Sequence, residues 1–124
     1  MGDVRIRVCN VHLATMVDNG PRQRREQLSA VLDDAALYDR AILSGDFNSD
    51  RVPEIALDHG FDWPTRGLGP TNALWAMDHI LLKGLSLATH DAFGAVRDSM
   101  GASDHKPVWA KIAVPLADGV DRTA

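Results

Sequence analysis

Along VRIRVCNVHL, residues 4–13, Val4, Ile6 and Val8 alternate with Arg5, Arg7 and Cys9. β-Branched residues at period two predict a strand. ATMVDNGPR then reads as a loop punctuated by Asn19, Gly20 and Pro21. From Pro21 to Tyr38 the period lengthens: Leu28, Val31, Leu32, Ala35 and Ala36 recur at helical spacing, with Arg and Gln on the other side. Pro21 suits the first turn of that helix. RAILSGDFN is short and almost fully apolar before its polar end, as a strand covered on both faces would be. VPEIALDHG predicts a short helix, with Pro53 near its start and Gly60 as its stop.

FDWPTRGLGPTN reads as a Pro- and Gly-rich loop and WAMDHILLKG as a strand. LSLATHDAF suggests another strand, VRDSMGASDH a loop, and KPVWAKIAVPL a final strand through Val108, Ala110, Ile112 and Val114. Strand, helix, strand, helix and then several strands predict an α/β fold, one β-sheet layer with flanking helices. The 124 residues form one domain, with a core over about 4–114 and a polar tail, 115–124, expected to fray. There are no repeats and no linkers.

Composition narrows the partners. With 13 basic and 17 acidic residues the net charge is −4, which excludes the broad basic field of a nonspecific nucleic-acid binder. A local basic patch stays open. Cys9 is the single cysteine, so no intrachain disulfide forms; its place in an apolar run predicts a buried, inert thiol. No apolar run reaches membrane-spanning length, and the charged opening MGDVRIR is no secretory signal, so a cytoplasmic protein is the default expectation.

The chemistry collects at predicted strand ends. His12 lies near the end of the first strand, Asp46 and Asn48 follow the second, Asp78 and His79 open the WAMDHILLKG strand, and Asp104 and His105 precede the last. Ligands of open α/β sheets gather beyond the carboxyl ends of strands. Mg²⁺ needs few protein oxygens because it keeps several waters, and histidine moves protons near neutral pH. Two acids, an amide and two histidines suit metal-assisted phosphoester hydrolysis. Taken singly each has a plainer reading. GDFN is a turn, His12 a satisfied strand histidine, and SDH a cap or Asx turn. Asp78 and His79 must face opposite ways, so only one enters the site; Asp78 is the choice. His59 and His90 read as structural or exposed, and PRQRREQ as a solvated helix face rather than a phosphate clamp.

NVHL, LSGDFNS, MDHILL and SDHKPV occur in that order at whole-domain spacing. With RREQLSAVL between the first two, the chain resembles the endonuclease/exonuclease/phosphatase superfamily, the DNase I-like proteins, over about residues 4–114. The resemblance implies a divalent-metal phosphoester hydrolase in which water attacks phosphorus in line, and half of a four-layer α/β sandwich. It assigns His12 to the phosphate or to proton donation, Asp46 to the attacking water, and Asn48 to a phosphate oxygen or the metal. Asp78 then fixes the tautomer of the last histidine, Asp104 ligates metal, and His105 binds phosphate or serves as base. The implied cofactor is Mg²⁺ or Mn²⁺, held by Asp104, Asp46 and Asn48. The implied substrate is a phosphoester: DNA, a lipid head group or a small phosphate ester.

Such domains are about twice this length and carry an early asparagine and a metal-ligating glutamate in their amino-terminal half. Glu26 and Glu54, the two glutamates here, match neither position. Metal binding is therefore expected to be weak. The apolar inner face of the sheet is expected to self-associate or to need a completing chain. The alternative to the enzyme is an inactive fragment or interaction module. Around the central loop, Phe61, Trp63 and Trp75 either stack on a ligand or plug the sheet edge, and the plug is preferred.

Overall fold

A computed structural model of the chain describes residues 4–15, 20–72, 75–97, 101 and 103–115. It is an α/β fold. Strand β1 (Arg7–His12) leads through helix α1 (Pro21–Ala35) to strand β2 (Ala41–Asp46), and β1 and β2 pair in parallel. Helix α2 (Glu54–Leu57) and the two-residue strand β3 (Phe61–Asp62) follow. Strand β4 (Asp78–Lys83) then returns antiparallel to both β2 and β3, giving a four-stranded sheet ordered β1-β2-β4-β3.

The later strands are shorter than the sequence predicts. LSLATHDAF splits into β5 (Ser86–Leu87) and the start of β6 (Phe93–Ala95). KPVWAKIAVPL breaks at Lys111 into β7 (Val108–Ala110) and β8 (Ile112–Ala113). β8 pairs with β5 and β7 with β6, so the predicted final strand serves two small sheets. The Lys111 amide donates to the Ala92 carbonyl instead of continuing either ladder. The predicted frayed tail lies almost wholly outside the described residues.

Helix α1 packs on one face of the main sheet. Leu28, Leu32 and Ala35 from its inner stripe join Ala41, Leu43, Phe61 and Leu81 in the core, with Cys9 and Val11 packed against them. Thus β1 turns Cys9 and Val11 inward, and Val8 is left 65% exposed on the opposite face. The Cys9 thiol is accordingly half-buried against the core. The helix ends at Ala35 rather than Tyr38; Leu37 and Tyr38 continue only as a tighter turn onto the Asp34 and Ala35 carbonyls.

One expectation is overturned on α1. Arg24 belongs to the buried stripe, one turn before Leu28, and is only 4% exposed. Its neighbours Arg22 and Arg25 are exposed, as a solvated face requires. Phe61 and Trp63 do plug the sheet: Phe61 is in the core, and Trp63 packs its ring edge-on to His79 under the Arg66 guanidinium.

Candidate active site

Strand register builds the site. His12 pairs with Asp46, and Asp46 with Asp78. Residues directly opposite in adjacent strands project to the same face, so the three side chains form one row across β1, β2 and β4. β1 and β2 end there, while the antiparallel β4 begins there. The row is therefore at the carboxyl end of the parallel pair. His79, one residue on, faces the other way, as alternation demands. It is buried between the edges of Phe47 and Trp63, with Nε2 2.7 Å from the Ser49 carbonyl. Burial pushes its imidazole below the ordinary histidine value, against the raising effect of that carbonyl.

The GDFN segment is a turn that also presents a carboxylate to the row. Asp46 Oδ1 accepts the Asn48 backbone N–H at 2.8 Å, an Asx turn. Asn48 sits at φ +48°, a left-handed conformation that asparagine tolerates better than most residues. Its Nδ2 donates to the Leu13 carbonyl at 2.7 Å, and the Leu13 N–H donates to the Asp46 carbonyl. The turn thereby clamps the end of β1 to the end of β2 and leaves Asp46 Oδ2 facing the row.

His105 arrives from the loop before β7. Its Nδ1 is 2.6 Å from Asp78 Oδ2, and its Nε2 lies 3.8 Å from Asp46 Oδ2. Thr71 completes this arrangement, and no sequence motif pointed to it. Its hydroxyl oxygen accepts the N–H groups of Met77 and Asp78, so its single proton goes to Asp78 Oδ2 at 2.7 Å. The Thr71 carbonyl also takes the Lys106 N–H, tying the His105 loop to the same point. Asn72 Nδ2 stands 3.2 Å from His105 Nε2. A neutral ring that donates through Nδ1 and keeps its Nε2 lone pair satisfies both neighbours.

The Asp78 hydrogen bond raises the His105 pKa, with burial opposing and Asp78, Asp46 and Asp104 adding favourable charge. A raised folded pKa means the pair contributes fully below the unfolded value, about 6.5. That contribution is lost as pH rises through the folded value. An NMR titration should place His105 above that reference, and Asp78→Asn should bring it back down. An unshifted His105 in the parent chain would contradict the arrangement.

The remaining residues sit at the rim. His12 is 74% exposed, with Nε2 3.6 Å from Asp46 Oδ2. Asp104 is 85% exposed, its Oδ1 3.9 Å from His105 Nε2. Asp46, Asp78 and His105 offer ligand atoms within 4.8 Å of one another, a set that differs from the Asp104, Asp46 and Asn48 expected from the resemblance. Neither glutamate joins them: Glu26 pairs with Arg22 and Glu54 with Arg66, both at the surface. His59 and His90 are exposed. Among the described residues no helix is long and apolar enough to cross a membrane.

No protein-family model and no curated protein matches the chain. A solved structure does resemble it: a functionally unknown conserved protein from Enterococcus faecalis, 24% identical, with a TM-score of 0.66. The match covers 86% of this chain and 49% of that one, so the chain spans about half the length of its structural neighbour. That likeness concerns the fold alone.

Proposed function

We propose that the chain carries one half of a divalent-metal phosphoester hydrolase site of the endonuclease/exonuclease/phosphatase type. The observation that carries this reading is the Asp78–His105 pair, 2.6 Å apart, with His105 Nε2 turned toward Asp46 Oδ2, the oxygen that His12 also approaches. Asp78 holds the ring, and His105 moves a proton or contacts a phosphate oxygen at Nε2. Asp46 accepts from the attacking water through its free Oδ2. Asn48 keeps the turn in place and presents its carboxamide beside it, and His12 approaches from the solvent side.

The donor set fits a hard cation in part. The Asp46 and Asp78 carboxylates, with Asn48 and Asp104 nearby, suit Mg²⁺ or Mn²⁺. One oxygen of Asp78 is already occupied by His105 and Thr71. When bound, such an ion supplies charge stabilisation to the in-line displacement. The shell is thin without a further carboxylate, so turnover calls for completion of the site. A second copy packing on the Val8 face would supply it. An interaction module without turnover is the competing reading, favoured by the absence of both glutamates from the site.

Hydrolysis of bis-(p-nitrophenyl) phosphate with Mg²⁺ or Mn²⁺ tests this. Metal-dependent turnover should appear in the parent chain and vanish in Asp46→Ala. Turnover that survives Asp46→Ala, or none at any metal concentration, would sink the hydrolase reading.

A further inference from the structure

Among the described residues Arg24 is buried without an anion. There it makes one hydrogen bond, Nη1 to the Ala14 carbonyl, long at 3.4 Å, and no ion pair, and its Nε has no partner. A buried guanidinium left so poorly satisfied is costly unless something else meets it. Arg40 and Trp63 also hold an unpartnered buried N–H, but neither lines the cleft that Arg24 lines.

That cleft has a volume of about 550 Å³ and lies between the start of α1, the Ser49–Ile55 segment and the residues just before β4. Arg25 and Arg51, both exposed, line it with Arg24. Two acids also line it, Asp50 and Glu54. Glu54 is already bound by Arg66 at 2.7 Å, which leaves the three arginines facing Asp50. In sequence the cleft borders the candidate active site, since Ser49 follows Asn48 and Met77 precedes Asp78; alternation puts it on the helix-covered side of the same sheet end, around the edge from the row. The Ala14 carbonyl that receives Arg24 follows Leu13, which Asn48 grips.

We propose that this cleft is a phosphate subsite, holding a second phosphate of a substrate whose reacting phosphate lies at the Asp46–Asp78–His105 row. This rests on the phosphoester hydrolase reading. Guanidinium forks match phosphate oxygens two at a time, and the charge of phosphate offsets the uncompensated Arg24. The second phosphate belongs to the neighbouring nucleotide of a strand or to a small ester bearing two phosphates; the chemistry is shared.

Trp75 lines the cleft and is 45% exposed, so its fluorescence reports occupancy, with Trp75→Phe as the control for signal origin. The metal-free chain is titrated with dithymidylate carrying a terminal phosphate, with the same dinucleotide lacking it, and with a hexose bisphosphate. The terminally phosphorylated dinucleotide should bind roughly tenfold more tightly than the unphosphorylated one, and Arg25→Ala with Arg51→Ala should remove that advantage. The log affinity should also fall less steeply with log salt, by about one for each arginine removed. Both exposed variants avoid the folding risk of altering Arg24. Tight binding of the hexose bisphosphate as well assigns a small ester; binding of the dinucleotide alone assigns a strand. Equal affinities with and without the terminal phosphate, or no effect of the double variant, would overturn the subsite. Arginine-dependent binding in a chain that never hydrolyses a phosphodiester keeps the subsite and removes the hydrolase reading. Metal-dependent turnover without a phosphate preference does the reverse.

Discussion

Asp78→Asn should lower metal-dependent phosphodiester turnover by about ten-thousandfold, the scale seen when a carboxylate that orients a catalytic imidazole becomes an amide. The reason is one oxygen with two donors. Asp78 Oδ2 takes both the His105 Nδ1 proton and the Thr71 hydroxyl proton. An asparagine that turns its oxygen to one donor still lacks the charge that raises the His105 pKa. One that turns its NH₂ inward meets two donors. Either way Nε2 loses its orientation toward Asp46. The loss should fall on kcat rather than KM, because the ring positions a proton and does not hold the substrate body. Thr71→Val should give a smaller loss in the same direction, and Thr71→Ser should restore it, since only the hydroxyl is needed. Asp78→Asn turnover within a few-fold of the parent would mean that His105 takes no part in the chemistry.

The legible part of this site was the part that strand periodicity controls. Period two and the AILSGD run locate β2 and β4, and register then brings His12, Asp46 and Asp78 into one row. Alternation admits only one of Asp78 and His79 to the row, and the β2–β4 register makes it Asp78. What stayed hidden depended on loops and on three-dimensional packing. Thr71 lies in a Pro- and Gly-rich stretch with no periodicity, and its importance comes from a turn that folds its hydroxyl back on Met77 and Asp78. The break of the last strand at Lys111 was hidden because alternation through Val108, Ala110 and Ile112 is identical whether one partner strand or two receive it. Arg24 was misread because its charge suggested solvent, whereas its place one turn before Leu28 puts it on the core stripe. On β1, alternation separates Val4, Ile6 and Val8 from Cys9 without telling which side is covered. The helix covers Cys9 and Val11, because α1 packs only against the face that Leu43 and Leu81 share.

Gly45→Ala should destabilise the fold by about 3 kcal/mol or more, the range reached when a backbone clash adds to a forbidden conformation. Gly45 lies at φ +135°, where side chains are strained whatever the space. Here the space is also absent: a Cβ would stand 2.0 Å from the Val11 carbonyl oxygen and 2.9 Å from Asn10 Oδ1. Val11 is its register partner across the parallel β1–β2 pair, so relief requires the strands to separate. The next pair along is His12 and Asp46. The glycine before Asp46 is thus what lets β1 approach closely enough to set a histidine beside that carboxylate. Gly67→Ala is the matched control, with φ +87° and nothing within 4 Å of its Cβ. It should cost only the conformational part, about 1 kcal/mol. Thermal unfolding followed by far-ultraviolet circular dichroism separates the two, since the difference amounts to several degrees in Tm. Equal losses would mean that the Val11 contact is not tight, and the β1–β2 clamp behind the His12–Asp46 pairing would have to be abandoned.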